Sequence, residues 1–68
     1  MTVDKTQARN EWVQGFAYAL VLMITSETDK ITAEAANNLF QSGIGSIARA
    51  VECGVDEADL EVLKRTFQ

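Results

Sequence analysis

The stretch from Trp12 to Ile24 constrains the fold of this chain more than any other part of the sequence. It holds eleven apolar residues in thirteen positions, and no charged residue occurs from Trp12 to Ser26. A surface helix needs an apolar stripe only somewhat wider than about 100°, and this stretch is apolar around much more of its circumference. A chain of 68 residues has little other material to cover such a helix. The sequence therefore predicts association with a second copy or with a partner.

The small size of the chain leads to the same prediction. Domains of about 60 residues are marginally stable and usually depend on disulfides, a metal or oligomerisation. Cys53 is the only cysteine and histidine is absent, so neither an internal disulfide nor a structural zinc site is expected. We therefore predict a single domain, residues 1–68, that forms a homodimer.

The charge balance predicts the kind of partner. Ten acidic and six basic residues give a net charge of −4, whereas nucleic-acid-binding proteins are typically basic. We expect no direct nucleic-acid contact and a protein partner with a basic surface, since opposite charges speed association. The uncharged stretch is shorter than the roughly 20 residues of a membrane span. It also does not resemble a secretory signal, so the cytoplasm is the expected location.

The periodicity predicts a first helix from Lys5 to Thr25, with Asp4 as N-cap and Gln7 in a capping box. Its apolar residues fill an arc of about 200° on a helical wheel. One side of this arc is expected to contact the second helix and the other a second copy. The predicted dimer interface consists of Trp12, Phe16, Ala19, Leu20 and Met23.

A second helix is predicted to start after Thr32, its N-cap, and to continue to the tight break at Gly54. Its core-facing stripe comprises Ala36, Leu39, Phe40, Gly43, Ile44, Ile47, Ala50 and Val51. Gly43 and Gly45 each cost about 1 kcal/mol in a helix relative to alanine. Either rows of small residues on both helices allow close packing, within the chain or between copies, or the glycines mark a bend or break. The two rows are Ala36, Gly43 and Ala50 on the second helix, and Ala8, Gly15 and Ala19 on the first.

A short third helix is predicted from Glu57 to Thr66. Asp56 is its expected N-cap, and Val55 and Leu60 have the spacing of a hydrophobic staple. The predicted fold is all-α: a helical hairpin of two long helices plus a short C-terminal helix, forming a homodimer.

The residue types predict no catalytic residue, metal site or cofactor, and an enzyme is not expected. Without histidine, acid–base chemistry would need carboxylates, lysine or tyrosine, and the glycines at 43 and 45 follow no strand, unlike a phosphate-binding loop. The acids at 52, 56, 57, 59 and 61 fit helix capping, an acidic docking surface or a cation site. Cys53 is interpreted as a buried filler rather than a reactive thiol. Trp12 and Tyr18 are interpreted as core or self-interface residues rather than as a ligand-stacking pair.

If the first helix supplies the dimer core, the outer face of the second helix is left for a target. Its small and uncharged side chains lose little solvation or side-chain entropy on docking. The predicted partner-binding residues are Asn38, Gln41, Ser42, Gly45, Ser46 and Arg49. The acidic segment 52–61 is the alternative binding surface.

A small acidic helical chain without histidine or proline resembles the small inhibitors that bacterial viruses encode. In general character it is most similar to the phage anti-activators that disable LuxR-type quorum-sensing regulators. The resemblance implies a helical dimer that binds the DNA-binding domain of the regulator, and it assigns no functional residue. Two other classes stay open. One is an anti-CRISPR or other anti-defence inhibitor, including a signalling-molecule sponge; the other is a structural dimer or assembly subunit.

Overall fold

The computed structural model describes residues 4–28 and 30–68, and within these ranges the chain is helical and contains no strand. The described elements are α1 (Lys5–Thr25), α2 (Ala33–Gly43), α3 (Ile47–Glu52) and α4 (Glu57–Phe67). The predicted all-α class is therefore confirmed. The first and last predicted helices match α1 and α4 to within one residue at each end.

Local side-chain contacts explain where α1 and α2 begin. The Asp4 carboxylate accepts a hydrogen bond from the Thr6 amide at 3.0 Å, and the Thr32 hydroxyl accepts one from the Ala35 amide at 3.1 Å. Both predicted N-caps are confirmed, since each satisfies an amide that has no partner within its helix. The predicted capping box does not form: the Asp4 carboxylate accepts from the Thr6 amide rather than from the Gln7 amide, and the Gln7 side chain donates to Glu11.

The predicted second long helix is wrong as a continuous element, because the chain breaks it between Gly43 and Ile47. The amides of Ile44 and Gly45 both donate to the Phe40 carbonyl, at 2.9 and 2.8 Å. Gly45 then adopts a φ of +99°, a left-handed conformation that is strained for residues with a Cβ. The Ser46 hydroxyl accepts a hydrogen bond from the Arg49 amide and starts α3. The break interpretation of Gly45 is confirmed, and two shorter helices replace one arm of the predicted hairpin.

Gly43 fits the other interpretation of the helix glycines, in which a small residue allows two helices to pack closely. A Cβ at Gly43 would overlap the ring of Phe16, so the glycine lets α1 approach the backbone of α2. The matching row on α1 does not take part, because Ala8, Gly15 and Ala19 are all exposed. Packing of the two rows against each other within one chain is therefore wrong.

The core lies between one face of α1 and the inner sides of the other three helices. Its buried members are Val13, Ala17, Leu20, Val21, Phe40, Ile44, Ala50, Cys53, Val55, Leu60 and Leu63. Phe40 of α2 stacks on Phe67 of α4 with ring centroids 4.3 Å apart. The Gln14 side chain donates a 2.8 Å hydrogen bond to the Cys53 carbonyl. These contacts join α1 to the α3–α4 turn and close the C-terminal helix over the core.

At the start of α4, Val55 and Leu60 are both buried, as expected of the hydrophobic staple. Asp56 occupies the N-cap position but makes no side-chain capping hydrogen bond. Gly54 follows the end of α3 with a φ of +82°, as expected of a glycine just after a helix. The start of α4 therefore depends on apolar packing and on the glycine turn rather than on a capping carboxylate.

Candidate protein-binding surfaces

One face of α1 is apolar and exposed. Its central residues are Ala8, Trp12, Gly15, Ala19 and Leu22, which we call the α1 seam. Trp12 is 58% exposed and Leu22 is 51% exposed. Tyr18 and Met23 extend the seam on its two sides and are also exposed. A contiguous exposed apolar patch on a small protein is typical of an interaction site.

The structure divides the predicted dimer residues between this surface and the core. Trp12, Ala19 and Met23 are exposed, and Phe16 is half-buried between α2 and the ring of Trp12, 5.2 Å away. Leu20 is 0% exposed, because it points in nearly the same direction as Val13 and packs within its own chain. Leu20 is therefore a core residue and is not accessible to a second copy.

Leu22 is the exposed residue that the sequence interpretation missed on α1. The signal was present in the spacing, since the five seam residues follow one another at intervals of four, three, four and three. This is the heptad spacing of a helix that packs along a second helix. The wide apolar arc hid the pattern, because apolar residues occupy the other faces of α1 as well.

A groove of about 520 Å³ lies between α3 and α4. Val51 and Leu60 contribute apolar surface, Glu57 and Glu61 contribute carboxylates, and Ala58 and Lys64 complete the lining. Val51 is 53% exposed, so its predicted place in the core stripe is wrong. The break at Gly45 changes the direction of α3 relative to α2, and a stripe drawn on one continuous helix no longer applies.

Negative charge is concentrated beside this groove, at the start of α4. Burial raises the pKa of the Asp59 carboxyl above its ordinary value, and the nearby Asp56 raises it further. Glu61 forms an exposed ion pair with Arg65 at 3.3 Å, and such pairs contribute little to stability. A positive charge near Asp56 and Asp59 would relieve the repulsion between these two carboxylates.

All six predicted partner-binding residues are exposed, but they do not lie on one helix. Asn38 and Gln41 belong to α2, together with Ser42, whereas Arg49 belongs to α3 and the turn at Gly45 separates them. None of the six is apolar, and the Ser46 hydroxyl is engaged as the α3 N-cap. This surface lacks the apolar centre that protein interfaces usually have.

Cys53 is buried, as expected of an apolar filler. Trp12 and Tyr18 are exposed, so neither belongs to the core of the chain. A cavity of about 290 Å³ near the start of α2 is lined by Ile24, Lys30, Ile31, Ala33, Ala36 and Thr66. Lys30 is the single cation in this lining, which is few for binding a phosphate-containing signal.

Residues 4–28 and 30–68 contain no group of three or more side chains that could hold a metal ion. No helix within the same ranges is long and apolar enough to cross a membrane. Comparisons with protein-family models, curated proteins and solved structures find no match for this chain.

Proposed function

We propose that this chain is a small acidic inhibitor, not an enzyme, that docks on another protein and blocks its activity. The groove between α3 and α4 carries the proposal, because exposed Val51 lies beside the carboxylates of Glu57 and Glu61. An apolar centre with a charged rim is the usual anatomy of a protein interface. The net charge of −4 favours a basic target, since complementary charge speeds the encounter and selects the partner.

The proposed target is the DNA-binding domain of a LuxR-type quorum-sensing activator in the cytoplasm of a host bacterium. Such a domain must present basic residues to bind DNA phosphates, and an acidic groove with an exposed valine is complementary to a surface of that kind. The resemblance to phage-encoded anti-activators supports this choice. An anti-CRISPR or other anti-defence inhibitor is the alternative, because nucleic-acid-binding defence proteins are basic for the same reason.

A direct titration tests the proposed site. Binding of a purified LuxR-type DNA-binding domain is measured by calorimetry for the wild-type chain and for Glu57→Lys. We expect the substitution to weaken binding about tenfold or more, because it places a like charge against a basic surface. Glu34→Lys is the matched control, since Glu34 also lies in the first turn of a helix and makes the same charge change away from the groove.

Three results would contradict this proposal in different ways. Equal loss of binding in Glu57→Lys and Glu34→Lys would indicate a general charge effect rather than the groove. Loss of binding in Gln41→Arg alone would move the site to the α2–α3 outer face; Ser46 is unsuitable for this purpose because its hydroxyl caps α3. An unmodified chain that does not bind the domain would exclude this target and leave the anti-defence and structural alternatives.

A structural dimer or assembly subunit is the second candidate function, and the α1 seam favours it. In that case the exposed apolar face of α1 would be the functional surface, and the acidic groove would only provide solubility. The proposed inhibitor is also a homodimer, so dimerisation by itself does not separate the two functions. Binding of the basic domain in the titration would separate them, because an assembly subunit would not bind it.

A further inference from the structure

We propose that the α1 seam pairs with the α1 seam of a second copy, and that the two helices run antiparallel and cross at Gly15. This inference deepens the homodimer of the proposed function, but it does not depend on any target.

The first observation is that Gly15, in the middle of α1, faces open space among the described residues. A glycine in the middle of a helix is less favourable than alanine by about 1 kcal/mol. A Cβ at Gly15 would meet no described atom within 4 Å, whereas a Cβ at Gly43 would overlap Phe16. The contacts described within the chain therefore explain Gly43 but not Gly15. A second backbone that approaches α1 at this point would explain it, because only glycine leaves room for such an approach.

The second observation is the heptad spacing of the seam. Seven-residue repeats of apolar positions keep one face of a helix directed at a partner helix along its whole length. The seam extends over about 21 Å at the usual rise of about 1.5 Å per residue, and no charged residue belongs to it. Glu11 lies beside the seam, and its carboxylate accepts a hydrogen bond from Gln7 on its own helix.

Side-chain size favours the antiparallel direction. A two-fold interface requires that a surface be complementary to itself. With the helices antiparallel about Gly15, Trp12 of one copy lies opposite Ala19 of the other, and Ala8 lies opposite Leu22. Each large residue then meets a small one, and the backbones can approach closely at Gly15. In a parallel pair Trp12 would face Trp12, and two indoles one turn from Gly15 would hold the backbones apart.

Charge favours the same direction. Lys5 is exposed on the first turn of α1, and Glu27 is exposed just beyond its last turn. An antiparallel pair brings Lys5 of each copy near Glu27 of the other, whereas a parallel pair brings like charges together. Antiparallel helices also place the positive end of each dipole beside the negative end of its neighbour. The ends of the seam are thus complementary to a second copy of this chain.

Sedimentation and disulfide trapping test this arrangement on the full chain without any target. We expect the wild-type chain to dimerise in the micromolar range, and Gly15→Leu to weaken the dimer about tenfold or more. Leucine is favourable in a helix, and the open space at Gly15 accepts it, so the circular-dichroism spectrum and the melting temperature of the dilute monomer should not fall. Leu22→Ala should also weaken the dimer.

Trapping determines the direction of the helices. Under mild oxidation, a mixture of Ala8→Cys and Leu22→Cys chains should form a cross-linked heterodimer, because these positions lie opposite each other. Each variant alone should cross-link slowly, since identical positions are then about 21 Å apart and a disulfide needs Cα atoms within about 7 Å. The wild-type chain, with its buried Cys53, and Asn38→Cys on α2 are the controls.

Several outcomes would overturn the inference. A chain that stays monomeric throughout the micromolar range excludes the pair, and a dimer that Gly15→Leu leaves intact uses another surface. Faster cross-linking of Ala8→Cys with itself than with Leu22→Cys indicates a parallel pair. These results are independent of the target titration, so failure of the proposed inhibitor and failure of the proposed dimer are distinguishable.

Discussion

The two apolar faces of α1 have similar composition, but one is buried in the core and the other is exposed to solvent. Val13, Ala17 and Leu20 are buried against the other helices, whereas Trp12 and Leu22 remain exposed. Neither face is distinguished by hydropathy, since both lie in the same uncharged stretch. The difference depends on how much surface the remaining helices can cover. In a chain this small, an apolar residue on a firmly predicted helix can belong equally well to the core or to an interface.

The two glycines within helices repeat this contrast. Gly43 lies against the ring of Phe16, and Gly15 faces open space. A glycine in a helix is costly in both places, but contacts among the described residues account for Gly43 alone. Substitutions on the two faces therefore have different expected effects on stability and on association.

The largest expected effect separates the two faces directly. Leu20→Ala should destabilise the monomer by about 2–5 kcal/mol, because it leaves a cavity in the core, and this loss is enough to unfold a marginal domain. Leu22→Ala should change monomer stability by less than about 0.5 kcal/mol, as is usual for surface positions. Urea denaturation at low protein concentration measures both. Equal destabilisation by the two substitutions would show that the seam is not a free surface.

The glycine pair should give an intermediate effect, with opposite signs at the two positions. Gly43→Ala should destabilise the chain by about 1–3 kcal/mol, since the added methyl group overpacks against Phe16. Gly15→Ala should stabilise the dilute monomer by about 0.5–1 kcal/mol through helix propensity. Thermal melts of the two variants at one low concentration provide the comparison. A stabilising Gly43→Ala would contradict the close approach of α1 to α2.

The smallest expected change in stability is at Gln14, a polar residue beside the buried face of α1. Gln14→Ala should destabilise the chain by about 1 kcal/mol, because it removes the hydrogen bond to the Cys53 carbonyl in a partly buried setting. Gln7→Ala is the matched control, since the Gln7 side chain donates its hydrogen bond to the exposed Glu11. Chemical denaturation measures the difference between the variants. If the two are equally stable, the contact with Cys53 does not join α1 to the α3–α4 turn.

Most features that depend on a few neighbouring residues were predictable, although the capping box at Gln7 and the capping hydrogen bond of Asp56 do not form. The N-caps Asp4 and Thr32, the staple of Val55 and Leu60, and the turn at Gly54 are all present. Caps and tight turns are short-range, because the groups that satisfy each other are within a few residues along the chain. The same locality explains why the bounds of α1 agree with the prediction.

The candidate site was predictable only in part. The sequence predicts the acidic segment 52–61 as one of two possible binding surfaces, but it places Val51, which is exposed, in the core stripe. An analysis of apolar periodicity assumes a continuous helix. Residues on the two sides of a break are therefore assigned to the same helix face even when their side chains point in different directions. Gly45, with its positive φ, interrupts the helix. As a result, the Val51 side chain lies on the surface and lines the groove between α3 and α4.

The sequence by itself determined that this chain is helical, where α1, α2 and α4 start, and that it has more apolar surface on α1 than it can cover. These properties follow from spacing, capping and length, which are local or additive. The tertiary structure decided which face of α1 is buried and which remains exposed. It also decided that Gly43 serves packing while Gly45 serves a turn. Such choices depend on contacts between helices distant in sequence, and the free energy of those contacts is set by the shape of the partner helix rather than by any pattern within α1.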